Sequence, residues 1–226
     1  EENIVKLGAI FRGLSTAVMM LFMIGGMILY LTTGDMIVSF KPAVSFEDML
    51  DENSEGMKAG QHVKGNVKYV LDYFASESTY TKRSDGSRSA SKKSGNYYLL
   101  PTAEGYIGLK SREKDVSILN KLTEETYTYL TTGEEPVTEF FIEGHVKKLK
   151  GNVVRYYKEY LEEFGYTESE IEAMGDPLVI EYVSFGAVRI MFVIGVLILI
   201  LGVLLFRRGY RLEIQGSGLP KAEDLP

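Results

Sequence analysis

The chain contains no cysteine. That excludes a disulfide frame, a thiolate nucleophile and any metal site built on sulfur. Histidine occurs only at 62 and 145, so an imidazole metal site would need both, together with a carboxylate such as Glu143. Two independent strand histidines are the simpler expectation. Residues 35–182 hold no Asn-x-Ser/Thr sequon. No nucleophile elbow, phosphate loop, zinc-protease helix or dinucleotide fingerprint occurs anywhere. Carboxylates are plentiful, but no acid–base pair stands out by spacing. The chain therefore reads as non-enzymatic and without a cofactor.

Charge is missing from two long stretches. Residues 13–34 carry no charged side chain over 22 positions, and residues 190–206 are 17 uncharged, mostly branched apolar residues. A helix rises about 1.5 Å per residue, so about 20 residues cross roughly 30 Å of hydrocarbon. The second run reaches that length when 183–188 is added and Arg189 lifts its guanidinium toward the headgroups. A cleaved signal peptide is the competing reading of the first run. Its apolar core is too long for that, and no small-x-small cleavage site follows, so an uncleaved signal anchor is expected.

Basic residues near the ends of the runs set orientation. Lys6 and Arg12 precede the first run and Asp35 follows it; Arg207, Arg208 and Arg211 follow the second. Both ends are expected in the cytoplasm. The expected division is a cytoplasmic N-terminus (1–12), transmembrane helix 1 (13–34), an extracytoplasmic domain (35–182), transmembrane helix 2 (183–206) and a cytoplasmic tail (207–226). The implied setting is the cell membrane, with the lipid bilayer as one partner.

The intervening segment has 18 Lys and Arg against 26 Asp and Glu, a net charge of −8 that the whole-chain value of −6 conceals. Such a domain is a poor partner for nucleic acid or anionic lipid headgroups. With no disulfides and no sequon, it points to a bacterial surface.

Apolar periodicity predicts an α+β domain with a mostly antiparallel sheet. A short helix over 44–50 opens it, with a capping-box spacing at Ser45 and Asp48. Alternation of Val63, Gly65, Val67, Tyr69, Leu71 and Tyr73 predicts one strand. The polar stretch 81–95 reads as a loop with a hairpin signal at Asp85-Gly86. Strands follow at 97–100 and 106–109. Val116, Leu119, Leu122 and Leu130 mark a helix over 112–131 that Gly133 stops. A strand over 137–149 carries Gly144 as a bulge or close contact. Val153, Tyr157, Tyr160, Leu161 and Phe164 mark a second helix. Thr167 and Glu170 cap a third, and a last strand covers 178–182.

Several stretches invite a functional reading. DENSEG at 51–56 opens like a calcium loop, with Asp51, Asn53 and Glu55 in ligand positions, but the closing glutamate is replaced by His62. An acidic turn is expected instead. Tyr97, Tyr98, Tyr127, Tyr129, Tyr156, Tyr157, Tyr160 and Tyr166 suit a core with hydroxyls at its margin better than a carbohydrate groove. Lys82, Arg83, Arg88, Lys92 and Lys93 form a basic island suited to docking an acidic partner. In the apolar runs, Gly13, Ala17 and Gly25 fall on a four-residue repeat and Gly195 and Gly202 lie a heptad apart, spacings that let helices approach closely.

The two-span layout, and the stretch HVKGNV…YYLLP within it, resemble uncharacterised two-transmembrane, extracytoplasmic-domain proteins of Gram-positive bacteria. The resemblance carries over no functional residues. The leading expectation is a membrane-anchored binding or assembly protein that forms a homo-oligomer or joins another membrane protein. A pore-forming subunit is the alternative, with Ser15, Thr16, Thr32 and Thr33 as its only polar span residues. A surface hydrolase ranks third.

Overall fold

The computed structural model describes residues 15–52 and 56–216. Two units emerge. One holds both long apolar helices, and the other is the sheet domain, residues 38–184.

In the helical unit, α1 (Thr16–Val38) and α5 (Phe185–Gly216) are long, and Thr16–Val38 and Phe185–Leu212 are apolar enough to cross a membrane. Both run past the predicted ends at 34 and 206. They are antiparallel. A Cβ on Gly25 would meet Leu199 at 2.8 Å, one on Gly195 would meet Ile28 and Leu29 at 3.0 Å, and one on Gly202 would meet Phe22 at 3.2 Å. The seam on α1 follows a heptad, Val18 and Gly25, rather than the four-residue repeat, and Ala17 is exposed. A seven-residue step suits a long, shallow crossing, whereas a four-residue step suits a tighter one. Gly13 lies outside the described residues.

The sheet domain begins with β1 (Ala43–Val44) and a 3₁₀ turn (Asp48–Leu50) where a longer helix was predicted. The Ser45–Asp48 reciprocity is present, since each backbone N–H donates to the other's side chain at 3.1 and 3.0 Å. Strands β2 (His62–Val67), β3 (Tyr73–Thr79), β4 (Lys92–Thr102) and β5 (Gly105–Lys110) follow. The alternation over 63–73 thus belongs to two strands, because Val70 and Leu71 are both buried and break the period. Helix α2 (Val116–Thr132) ends at left-handed Gly133. Then come β6 (Phe140–Lys148), α3 (Asn152–Glu163), α4 (Glu168–Ala173) with its Thr167–Glu170 capping box, and β7 (Leu178–Tyr182).

Among the described residues seven strands form one sheet, in the order β1-β2-β6-β7-β5-β4-β3. The sheet is mixed, not mostly antiparallel in the sense expected: β1–β2 and β5–β7 pair in parallel between antiparallel neighbours. The central parallel pair arises because β7 arrives last in the chain and inserts between β5 and β6, and the other is the two-residue β1 at the edge beside β2. A hydrophobic period reports which face a strand buries and not the direction of its neighbour.

One face packs Val63, Val67, Leu109, Val146 and Ile180 against Leu119 and Leu122 of α2. Leu130, predicted on the same side of α2, is exposed. The buried position goes to Thr126, whose hydroxyl donates to Leu122 O and accepts the Val70 N–H at 3.1 Å. The other face is covered over part of its area by α3 and α4 through Tyr157, Leu161 and Ile171. Tyr97, Tyr98 and Tyr157 are core residues, while Tyr127 and Tyr156 lie exposed. The Tyr157 hydroxyl donates to Tyr106 O, and the Tyr106 and Tyr166 hydroxyls pair at 2.9 Å. Burial and that pairing push Tyr106 up to about 12.

Glu125 fastens α2 to the approach to β6. Its carboxylate accepts the Thr138 hydroxyl and N–H, each at 2.7 Å, and the Val137 N–H at 2.9 Å. Hydrogen bonds from Thr138 hold its pKa below the ordinary glutamate value, with help from Val137 and Lys121. A folded-state pKa below the unfolded one means stability is present above the unfolded value and lost as pH falls through the folded one. Melting temperature should therefore decline below pH about 4.5, with a shallower decline in Glu125→Gln. Melting curves from pH 7 to 3 test this, and equal slopes for both proteins would exclude it.

Candidate functional site

A single cross-strand row runs through all seven strands: Ala43, His62, His145, Glu181, Lys110, Tyr97 and Ala75 in successive register. Side chains of one row share a face. This face is only partly covered by α3 and α4, and it collects the polar residues of the central strands.

The two histidines, expected to be independent, are direct neighbours across β2 and β6. His62 is 7 % exposed and its Nε2 lies 3.1 Å from Glu143 Oε1. Lys64 Nζ approaches the same carboxylate oxygen at 3.5 Å. Among the described residues no group of three His, Asp or Glu side chains is placed to hold a metal ion. Further along the row Lys147 Nζ donates to Glu181 at 2.7 Å and Lys110 Nζ to Glu77 at 3.0 Å. Burial works against the charge on Lys110, but its bonds to Glu77 and Tyr97 outweigh that and raise its pKa.

Two open cavities flank the row and share Glu181. The larger, about 520 Å³, is lined by His145, Lys147, Lys150 and Glu181 over a wall that includes Tyr97 and Val179. The smaller, about 350 Å³, is lined by Glu77, Lys110, Arg112 and Tyr182. Arg112 lies 3.6 Å above the Tyr182 ring and donates to Asp115 at 2.6 Å. Sequence reasoning missed the larger cavity. Its signal was HVKKLK at 145–150, three lysines and a histidine in six residues, which a strand pattern alone does not assign to a site.

The proposed docking residues separate into two groups. Lys82, Arg83 and Arg88 sit at an exposed hairpin tip, where Arg83 N donates to Ser87 O at 2.8 Å and Arg88 stacks 4.5 Å over Tyr80. Lys92 and Lys93, predicted in the loop, are the first residues of β4, and Lys93 lies over Tyr73. Strand β3 is a sheet edge with two register irregularities. Lysines and bulges at an edge oppose pairing with a foreign strand. Of the calcium-loop residues, Asn53 and Glu55 lie outside the described residues, and His62 is committed to β2 and Glu143.

Fold and face define a class, a mixed-sheet domain carried in sequence between two long apolar helices. The chain belongs to the family described as Domain of unknown function (DUF8577), whose model matches residues 8–207. That match takes in α1, the whole sheet domain and most of α5. No curated protein and no solved structure matches the chain.

Proposed function

We propose that the protein is a non-enzymatic, membrane-anchored binding or assembly protein, with α1 and α5 crossing the cell membrane, both termini cytoplasmic and the sheet domain outside. One observation carries this reading: Thr16–Val38 and Phe185–Leu212 are each long and apolar enough to cross a membrane, and within their own unit they pack antiparallel through Gly25, Gly195 and Gly202. The arginine cluster at 207–211 supports a cytoplasmic end for α5.

A neighbouring membrane protein or a second copy is the partner this reading implies, and the exposed outer surfaces of the helix pair are available to it. The pore alternative has weaker support. Ser15 caps the Val18 N–H, and Thr32 and Thr33 donate to Ile28 O and Leu29 O of their own helix.

Because the chain has no cysteine, single cysteines at Ser87 and Ser217 can be labelled without background. An impermeant thiol reagent applied to intact cells should label position 87 and not 217. The reverse pattern would invert the orientation. Equal labelling of both only after lysis would remove the two-span reading.

A further inference from the structure

The larger cavity reverses the sign of its domain. Residues 35–182 carry a net charge of −8, yet this cavity is lined by Lys147, Lys148, Lys150 and His145 with Glu181 the sole acid among its lining residues. Glu181 anchors Lys147 Nζ at 2.7 Å, which fixes one ammonium at the wall. Lys148 is drawn toward Asp176 outside the lining, and Lys150 is exposed at the rim.

Residue type narrows the ligand. Lysine ammonium groups are compact point charges with several donors, suited to the oxygens of a phosphate. Arginine's planar fork suits carboxylate and phosphate alike, and no arginine lines this cavity, so what it offers an anion is the point charge of lysine. Beside the lysines the lining is carbon: Val179 pairs directly with Lys147, Tyr97 and Leu149 belong to the same face's core, and Val153 comes from α3 above it. A volume of about 520 Å³ is in the range of small-molecule sites.

We propose that this cavity binds a phosphomonoester or phosphodiester with a compact carbon body, the phosphate held by Lys147 and Lys150 and the carbon part resting on Tyr97 and Val179. The inference rests on the binding part of the proposed function and not on the membrane crossing, so thiol labelling can fail while this stands. Phosphate of this kind comes from a soluble metabolite or polymer end, or from a lipid headgroup.

The test uses the full chain in a maltoside detergent, which contributes no phosphate, titrated calorimetrically with glycerol 3-phosphate at low salt. Saturable binding at one site per chain is expected. Lys150→Ala, at an exposed position, should weaken it about tenfold or more, and Lys147→Ala likewise. The hairpin-tip double variant Lys82→Ala/Arg83→Ala should bind as the wild type does. No saturation up to roughly 10 mM would overturn the proposal, as would unchanged affinity in the Lys150 variant or equal weakening in the tip variant. Near-UV circular dichroism of the buried tyrosines confirms that each variant is folded. Repeating the titration with phosphatidylglycerol in the micelle assigns the source. Loss of glycerol phosphate binding there identifies a lipid headgroup, and unchanged binding identifies a soluble phosphate.

Discussion

Replacing Gly144 with alanine lowers the melting temperature of the sheet domain by roughly 6–12 °C, the equivalent of about 3 kcal/mol. Gly144 lies in β6 opposite Tyr182 of β7 and Val63 of β2. A Cβ there meets Glu181 O at 2.7 Å and Ile180 Cγ2 at 2.8 Å. The first obstacle is backbone, so it cannot rotate away. Either β7 moves off β6 or the strand pair twists, and both loosen the core around Ile180 and Val146, which are fully buried. Near-UV circular dichroism of Tyr98, buried beneath α2, reads the transition. Gly26→Ala is the control: nothing lies within 4 Å of its added Cβ, and it sits in a helix that favours alanine. A Gly144→Ala protein that melts within 2 °C of wild type would show that the sheet yields far more easily than close packing implies.

The second large effect concerns the helices. Gly25→Leu should reduce thermal stability by about 2–3 kcal/mol and leave the copy number in mild detergent unchanged. A Cβ at this position already meets Leu199 at 2.8 Å and Gly195 O at 3.1 Å, before the rest of a leucine is added. In lipid no hydrophobic drive holds helices together, so contact depends on close packing of small residues. The Gly25, Gly195 and Gly202 contacts lie between the two helices of one chain. Mass measurement of both proteins in the same detergent distinguishes the cases. An oligomer that falls to folded monomers on Gly25→Leu would mean that Gly25 faces a neighbouring molecule instead.

Local signals are legible in the sequence where a single residue type decides geometry. Gly133 stops α2 in a left-handed conformation, Thr167 and Glu170 make a capping box, and Gly144 marks a close approach. Each is a short-range requirement, so a short window of sequence suffices. What stayed hidden is long-range. Nothing near residue 178 says that its strand enters the middle of the sheet, and the parallel β5–β7 pairing follows from that. The histidines illustrate the same limit. They are 83 positions apart in the chain, and only the β2–β6 register sets them side by side. The 145–150 lysines were legible as residues, but their cavity depends on α3, β4 and β7 arriving around them. Ser and Gly neighbours give 92 and 93 the look of a loop, while pairing of Lys92 with Thr79 and Lys93 with Ser78 makes them strand.

The position of β7 also sets an order of events during synthesis. Until residues 178–182 have left the ribosome, β5 and β6 are two open inner edges, each belonging to half a sheet. The domain is thus committed to wait for its final strand, with its long-range pairings among the last to form, the kind of topology that folds slowly and exposes unpaired strands meanwhile. Two residues after that strand comes the start of α5, whose stretch Phe185–Leu212 is long and apolar. Closing the sheet and releasing that helix from the ribosome are therefore adjacent steps in time, and a chain truncated before residue 178 lacks the strand that joins its two halves.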